Sequence, residues 1–201
     1  MTFSIGKRSS ANRAIAGFTL TEMLVTTLIL AMVSTLMATG IPVAIDTYQK
    51  VVKTSNAQLA LSTTVSMIKN ELGLATDVQV EGTGSAAKIY YYSLNEGCWI
   101  SINNPDPTTD PGVKGLVKQY YKGLPTAETP VTGLEKDGTG IPIVSNEAIT
   151  DALKSVELLS AEQPSDKKEV DVKIRVTDAA NNDLASVGET QPYCILTRFE
   201  A

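Results

Sequence analysis

The longest uncharged stretch of the chain lies between Glu22 and Asp46, where 23 successive residues carry no ionisable side chain. As a helix rising about 1.5 Å per residue, it reaches roughly 34 Å, enough to cross a hydrocarbon core. Gly40 and Pro42 are its one strong interruption. Proline removes a backbone hydrogen bond and crowds the preceding turn, so a kink or a locally melted segment is predicted over residues 38–42. After Asp46 the apolar positions recur at three- and four-residue spacing, with Tyr48, Val52, Ser55 and Leu59 on one stripe and Leu61, Val65, Ile68 and Leu72 on another. That is an amphipathic helix ending near Gly73, and its stripe requires a surface to pack on.

Beyond Ala75 the texture changes to short β-type runs separated by Gly, Pro, Asn and Asp. Strands are predicted over residues 78–81, 88–94, 98–102 and 116–122, with Asn95-Glu96-Gly97 as a hairpin turn. The proline-rich 103–112 segment and residues 126–140 read as long loops. Residues 146–155 are expected to form a short helix through Ile149, Leu153 and Val156, followed by a strand to Ala161. Val170, Val172, Ile174 and Val176 alternate with Asp171, Lys173 and Arg175, the pattern of a strand with one buried and one wet face. A last strand is expected over residues 193–199, joined to the previous one by a loop over residues 178–192. The fold class is α+β, a long helix whose stripe implies a sheet to pack on.

Charge gives this architecture a direction. Lys7, Arg8 and Arg13 precede the apolar span and no acid occurs in residues 1–21, which places the N-terminus in the cytoplasm and the part after Ile45 outside. The net charge of −5 argues against a broad basic surface for nucleic acid. Histidine is absent, removing the commonest general base and metal ligand, so no Ser-His-Asp, Cys-His or zinc arrangement can be built. Gly82-Thr83-Gly84 lacks the rest of a dinucleotide motif, and no phosphate-loop motif occurs. The acid- and amide-rich 178–183 segment does not match calcium-loop spacing and reads as a solvated turn. Tyr90-Tyr91-Tyr92 and Tyr120-Tyr121 read as alternate core and wet-face positions of strands rather than a base- or sugar-stacking surface. No enzyme activity, cofactor or metal is expected. Cys98 and Cys194, both outside the span, are either a disulfide or two buried thiols.

The residues at the head of the span carry a family resemblance. A basic leader ending at Gly17, then Phe18-Thr19-Leu20-Thr21-Glu22-Met23-Leu24-Val25, resembles the prepilin signal of type IV pilins and pseudopilins. The resemblance implies cleavage after Gly17 by a prepilin peptidase, N-methylation of Phe18, and a role for Glu22 in assembly. It further implies a structural subunit with other pilin subunits and the pilus assembly machinery as partners. Such a subunit is a single-pass membrane protein before assembly and part of an extracellular filament on the bacterial cell surface afterwards, serving adhesion, motility, DNA uptake or secretion.

Physical chemistry supplies its own argument about Glu22. An ionisable side chain entering hydrocarbon costs on the order of 3 kcal/mol and calls for a partner. Cleavage after Gly17 creates an ammonium at Phe18, one helical turn from Glu22. The alternatives are an interfacial acid with no role, an ordinary secretory signal cut after residues 38–40, and a monomeric anchored binding domain. The expected organisation is a removed leader over residues 1–17, an assembly helix over 18–45, an amphipathic helix over 46–75 and a β-rich head over 76–201.

Overall fold

The computed structural model describes residues 18–124, 131–147, 149, 152–164, 169–191 and 193–197. A single helix, α1, runs over Leu20–Gly73. Its first part is long and apolar enough to cross a membrane, and its apolar side chains from Leu20 to Ile45 are exposed. Every hydroxyl side chain among residues 23–45 is satisfied by the helix itself. Thr26, Thr27, Ser34, Thr35 and Thr39 each donate to a carbonyl three or four residues back, at 2.8–3.3 Å. Such back-bonding lets a polar side chain enter an apolar surround without an outside partner. Pro42 lies inside α1 and the helix continues through it, so the predicted melted segment over 38–42 does not form.

The chain divides into two compact units, Met1–Tyr48 and Gln49–Ala201. Within the second, nine strands among the described residues form two antiparallel sheets. Sheet I is a meander of β1 (Ala75–Glu81), β2 (Lys88–Ser93), β3 (Cys98–Asn103), β4 (Val117–Lys122) and β5 (Glu135–Pro142), in that order. Gly97 closes the β2–β3 hairpin at φ 67°, donating its N–H to the Ser93 carbonyl at 2.8 Å. Sheet II contains β6 (Leu153–Glu162), β7 (Glu169–Asp178), β8 (Asp183–Val187) and β9 (Tyr193–Leu196). Strands β8 and β9 share one side of β7, β8 along residues 174–177 and β9 along residues 169–172. The chain passes between them at Gly188, whose φ of 84° and missing side chain allow it to lie against the Val172 carbonyl.

Three expectations are corrected here. The expected helix over 146–155 gives way to a turn and then β6, on which Leu153 and Val156 lie. Bulges between Leu153 and Ser155 and between Leu158 and Ser160 shift the alternation, so buried Leu153 and Val156 stand three residues apart, as do Leu158 and Ala161, a spacing also found on a helix face. Part of the expected 126–140 loop is β5, and part of the expected 178–192 loop is β8. Residues 125–130, 198–201 and several in 148–151 fall outside the described residues, including the expected end of the last strand.

One core unites the second half of α1 with both sheets. Ala57, Ala60, Val65, Ile68 and Leu72 pack with Ile89, Tyr91, Ile100 and Ile102 of sheet I and with Val156, Leu158, Val172, Ile174 and Val176 of sheet II. Each large side chain so buried contributes about 1.5–3 kcal/mol. The stripe through Leu61 and Leu72 is the buried one; Tyr48 and Leu59 of the other stripe stay exposed. Ala57, Ala60 and Thr64, all buried, present little bulk and so permit close approach. At the end of the helix, Glu71 accepts from the Tyr91 hydroxyl at 2.9 Å and from Lys118 Nζ at 2.7 Å, tying α1 to β2 and β4. Burial opposes the Lys118 charge, yet the Glu71 hydrogen bond and charge outweigh it and raise the lysine's pKa.

The opposite face of sheet I has a smaller cluster of Tyr90, Trp99, Tyr121 and Val131, with Tyr92 and Leu134 against it. Tyr90 and Tyr121 meet at a tilt of 53° with 5.7 Å between centroids, and Tyr92 meets Trp99 edge-on at 5.9 Å. The tyrosines of β2 and β4 are thus core and half-core side chains. Asn104 joins the sheets: its Nδ2 donates to the carbonyls of Ser85 at 2.8 Å and Leu158 at 2.9 Å, and its Oδ1 accepts the Leu158 N–H at 2.7 Å. The Lys114 carbonyl takes the Val156 N–H at 2.8 Å. Together these occupy the outer edge of β6, which would otherwise present unpaired backbone groups.

Candidate assembly segment

Thr19 fixes where the helix begins. Its carbonyl accepts the N–H groups of Glu22 at 3.0 Å and Met23 at 3.1 Å, and its Oγ1 accepts the Glu22 N–H at 3.3 Å. The Thr21 hydroxyl lies 3.1 Å from the Thr19 hydroxyl. The run Thr19-Leu20-Thr21-Glu22 has the threonine and glutamate of a capping box, a signal that sequence reading can recognise by its spacing alone. Glu22 also places an acid in the first helical turn, where the helix dipole favours negative charge.

The cap alters one expectation. Phe18 precedes the helix and is exposed, so in the chain as it stands the one-turn spacing between Phe18 and Glu22 is not drawn by the helix. Gly17 and the leader lie outside the described residues. Glu22 is exposed, with bare apolar surface from Met23 onward. The Gly40 position is open, with no atom within 4 Å of where a Cβ would stand.

Of the two readings left open for Cys98 and Cys194, the structure forms neither a mutual disulfide nor a pair of buried thiols. Cys98 begins β3 in sheet I, half-buried, and Cys194 lies on β9 in sheet II, exposed; the two are not bonded to each other. The two strands belong to different sheets and β9 pairs with β7, so the C-terminal strand is not tied beside β3. Burial, with Glu96 and Asp137 nearby, raises the Cys98 pKa and keeps it a thiol.

The 178–183 segment is a closed turn between β7 and β8. Asp178 Oδ1 accepts the N–H groups of Ala180 and Asn182, both at 2.9 Å, and Asn181 adopts a left-handed φ of 61°. These bonds hold the Asp178 carboxyl below the usual carboxylate range. Among the described residues no group of three or more His, Cys, Asp or Glu is arranged to hold a metal ion.

Residues 12–38 match the prokaryotic N-terminal methylation motif. This is the signature of type IV pilins and pseudopilins, and it covers the cap, Glu22 and much of the apolar span. The chain therefore has a pilin-type N-terminus, and with a helix packed on antiparallel sheets it has a pilin-like α+β arrangement. No curated protein and no solved structure matches the chain.

Proposed function

We propose that this chain is a subunit of a type IV pilus-like filament, cleaved after Gly17, methylated on Phe18 and assembled through its N-terminal helix. The observation that carries the reading is the methylation motif over residues 12–38, continued by a helix whose apolar surface is exposed throughout residues 20–45. Exposed apolar surface of that extent is stable in lipid, or against other copies of the same helix, and not in water. Before assembly the helix anchors the subunit in the membrane; in the filament it packs against neighbouring subunits, with Glu22 facing the Phe18 ammonium of an adjoining chain. The role is structural, with the prepilin peptidase and the assembly machinery as partners, and the filament serves adhesion, motility, DNA uptake or secretion.

Mass spectrometry of the N-terminal peptide from membranes and from sheared surface filaments tests this. The expected peptide begins with N-methylated Phe18. A chain beginning near residue 41 would make it an ordinary secreted protein, and an uncleaved chain confined to the membrane would make it a monomeric anchored domain.

A further inference from the structure

A cavity of about 360 Å³ lies between the 103–112 loop and strands β2, β4 and β5. It opens on the face of sheet I that carries Tyr90 and Tyr121, and it is lined by Lys88, Gln119 and Lys136 from the strands and by Asp106 and Asp110 from the loop. Its volume sits at the low end of the range of about 300–1,000 Å³ typical of small-molecule sites.

Two of its polar side chains are more than nine-tenths buried, with an acceptor left over. Asp110, 8% exposed, uses Oδ2 to take the Asp106 N–H at 3.3 Å and the Thr109 hydroxyl at 3.1 Å, while Oδ1 accepts from no described residue. Gln119, 5% exposed, donates both Nε2 hydrogens, to the carbonyls of Tyr120 and Gly138 at 3.1 Å each, and Oε1 accepts from no described residue. Gly140 lets the carboxylate sit there, since a Cβ on it would stand 2.9 Å from Asp110 Oδ1. Both side chains line the cavity, and each has an acceptor oxygen there that a bound group can use.

Lys88 and Lys136 supply donors at the same cavity, and their charges cancel those of Asp106 and Asp110. Ala86, Ala87 and Pro105 line it with apolar surface. We propose that this cavity binds one neutral hexopyranose residue of a saccharide. A sugar hydroxyl donates to Asp110 Oδ1 or Gln119 Oε1 and also accepts from a lysine ammonium, and a pyranose joins several such hydroxyls to an apolar C–H face. The C–H face of the ring lies on the alanines and the proline. A uronate would bring an unbalanced negative charge into a lining that sums to zero, and an amino acid would leave the apolar strip uncovered.

The test uses the full-length chain in a detergent without a sugar headgroup. Methyl glucoside, methyl galactoside and methyl mannoside are titrated separately and followed by saturation-transfer NMR, with methyl glucuronide and glycine in parallel. At least one neutral hexoside is expected to bind saturably and more tightly than either comparison ligand. In Asp110→Asn, the Asp106 N–H and Thr109 hydroxyl hold the amide oxygen toward the loop and turn the NH2 into the cavity, so binding should weaken about tenfold or more. The double variant Lys88→Ala/Lys136→Ala changes side chains outside the core and should weaken binding even if the first variant does not fold. Binding of glucuronide or glycine in preference to every hexoside, no binding at all, or unchanged affinity in the double variant overturns the proposal.

Discussion

Replacing Asn104 with alanine tests how the two sheets are joined. The side chain makes three hydrogen bonds, one to Ser85 and two to the backbone of Leu158, which lies on the outer edge of β6. A net worth of about 1 kcal/mol each, with the buried Leu158 backbone groups left unpaired, puts the cost of Asn104→Ala at about 2–4 kcal/mol. Against a total of about 5–15 kcal/mol for an ordinary domain, this is a large fraction. Trp99 is the single tryptophan and is buried at 3% exposure, so its fluorescence during urea unfolding reports the head directly. The midpoint should fall while the slope holds. Asn104→Asp adds a sign: its oxygens face two carbonyls as well as one N–H, so its charged form is penalised and its folded pKa rises above the unfolded value. Its stability should therefore increase as the pH is lowered through that pKa, unlike that of Asn104→Ala. A loss under about 0.5 kcal/mol for the alanine variant would refute the claim that Asn104 joins the sheets.

Gly188→Ala places a Cβ against the Val172 carbonyl at a φ of 84° and should cost on the order of 2–4 kcal/mol in the same assay, with Val187→Ala as a milder comparison. Glu157 is held below the usual carboxylate range by the Ser155 hydroxyl first and by Arg175 after it, against the opposing effect of burial. Its contribution is thus complete above the ordinary glutamate value and lost as pH falls through the lower folded one, so Glu157→Gln should flatten the stability profile below about pH 4.5. Alkylation of non-reduced, denatured protein should label both Cys98 and Cys194, with Cys194 the faster in the folded state; absence of label would mean they are bonded after all. Glu22→Ala should leave the subunit in the membrane and processed but reduce sheared filaments by two to three orders of magnitude, from a buried unpaired ammonium costing about 3–5 kcal/mol; normal filament yield would make Glu22 only an interfacial acid.

Hydrophobic periodicity exposed those parts of the fold in which burial alternates without interruption. Val170, Val172, Ile174 and Val176 are each wholly buried, and Leu61, Val65, Ile68 and Leu72 form the helix face, as their spacing indicates. Bulges in β6 broke the period and produced a false helix. Strand β5 carries Lys136, Asp137, Gly138 and Gly140, mostly exposed, and exists because β4 supplies its hydrogen-bond partners rather than because its side chains are buried. The N-terminal motif was legible because its residues are contiguous. The sheet I cavity was not, because residues 88, 110, 119 and 136 meet only once the strands are paired, and nothing local marks Gln119 or Asp110 as buried acceptors.

The self-bonded hydroxyls of α1 bear on how such a helix can be positioned lengthwise. With Thr26, Thr27, Ser34, Thr35 and Thr39 turned back onto their own carbonyls, the surface over residues 23–45 offers a neighbour only shape and dispersion. Dispersion between near-uniform apolar rods changes little when one slides along the other by a turn. In the proposed filament, axial position would then be specified from the two ends of the stretch, where Glu22 and Asp46 are its nearest charges. A rod of this kind can be lifted past its neighbours in small steps without breaking a polar bond at each one, and it is stopped only where a charge finds its counterpart.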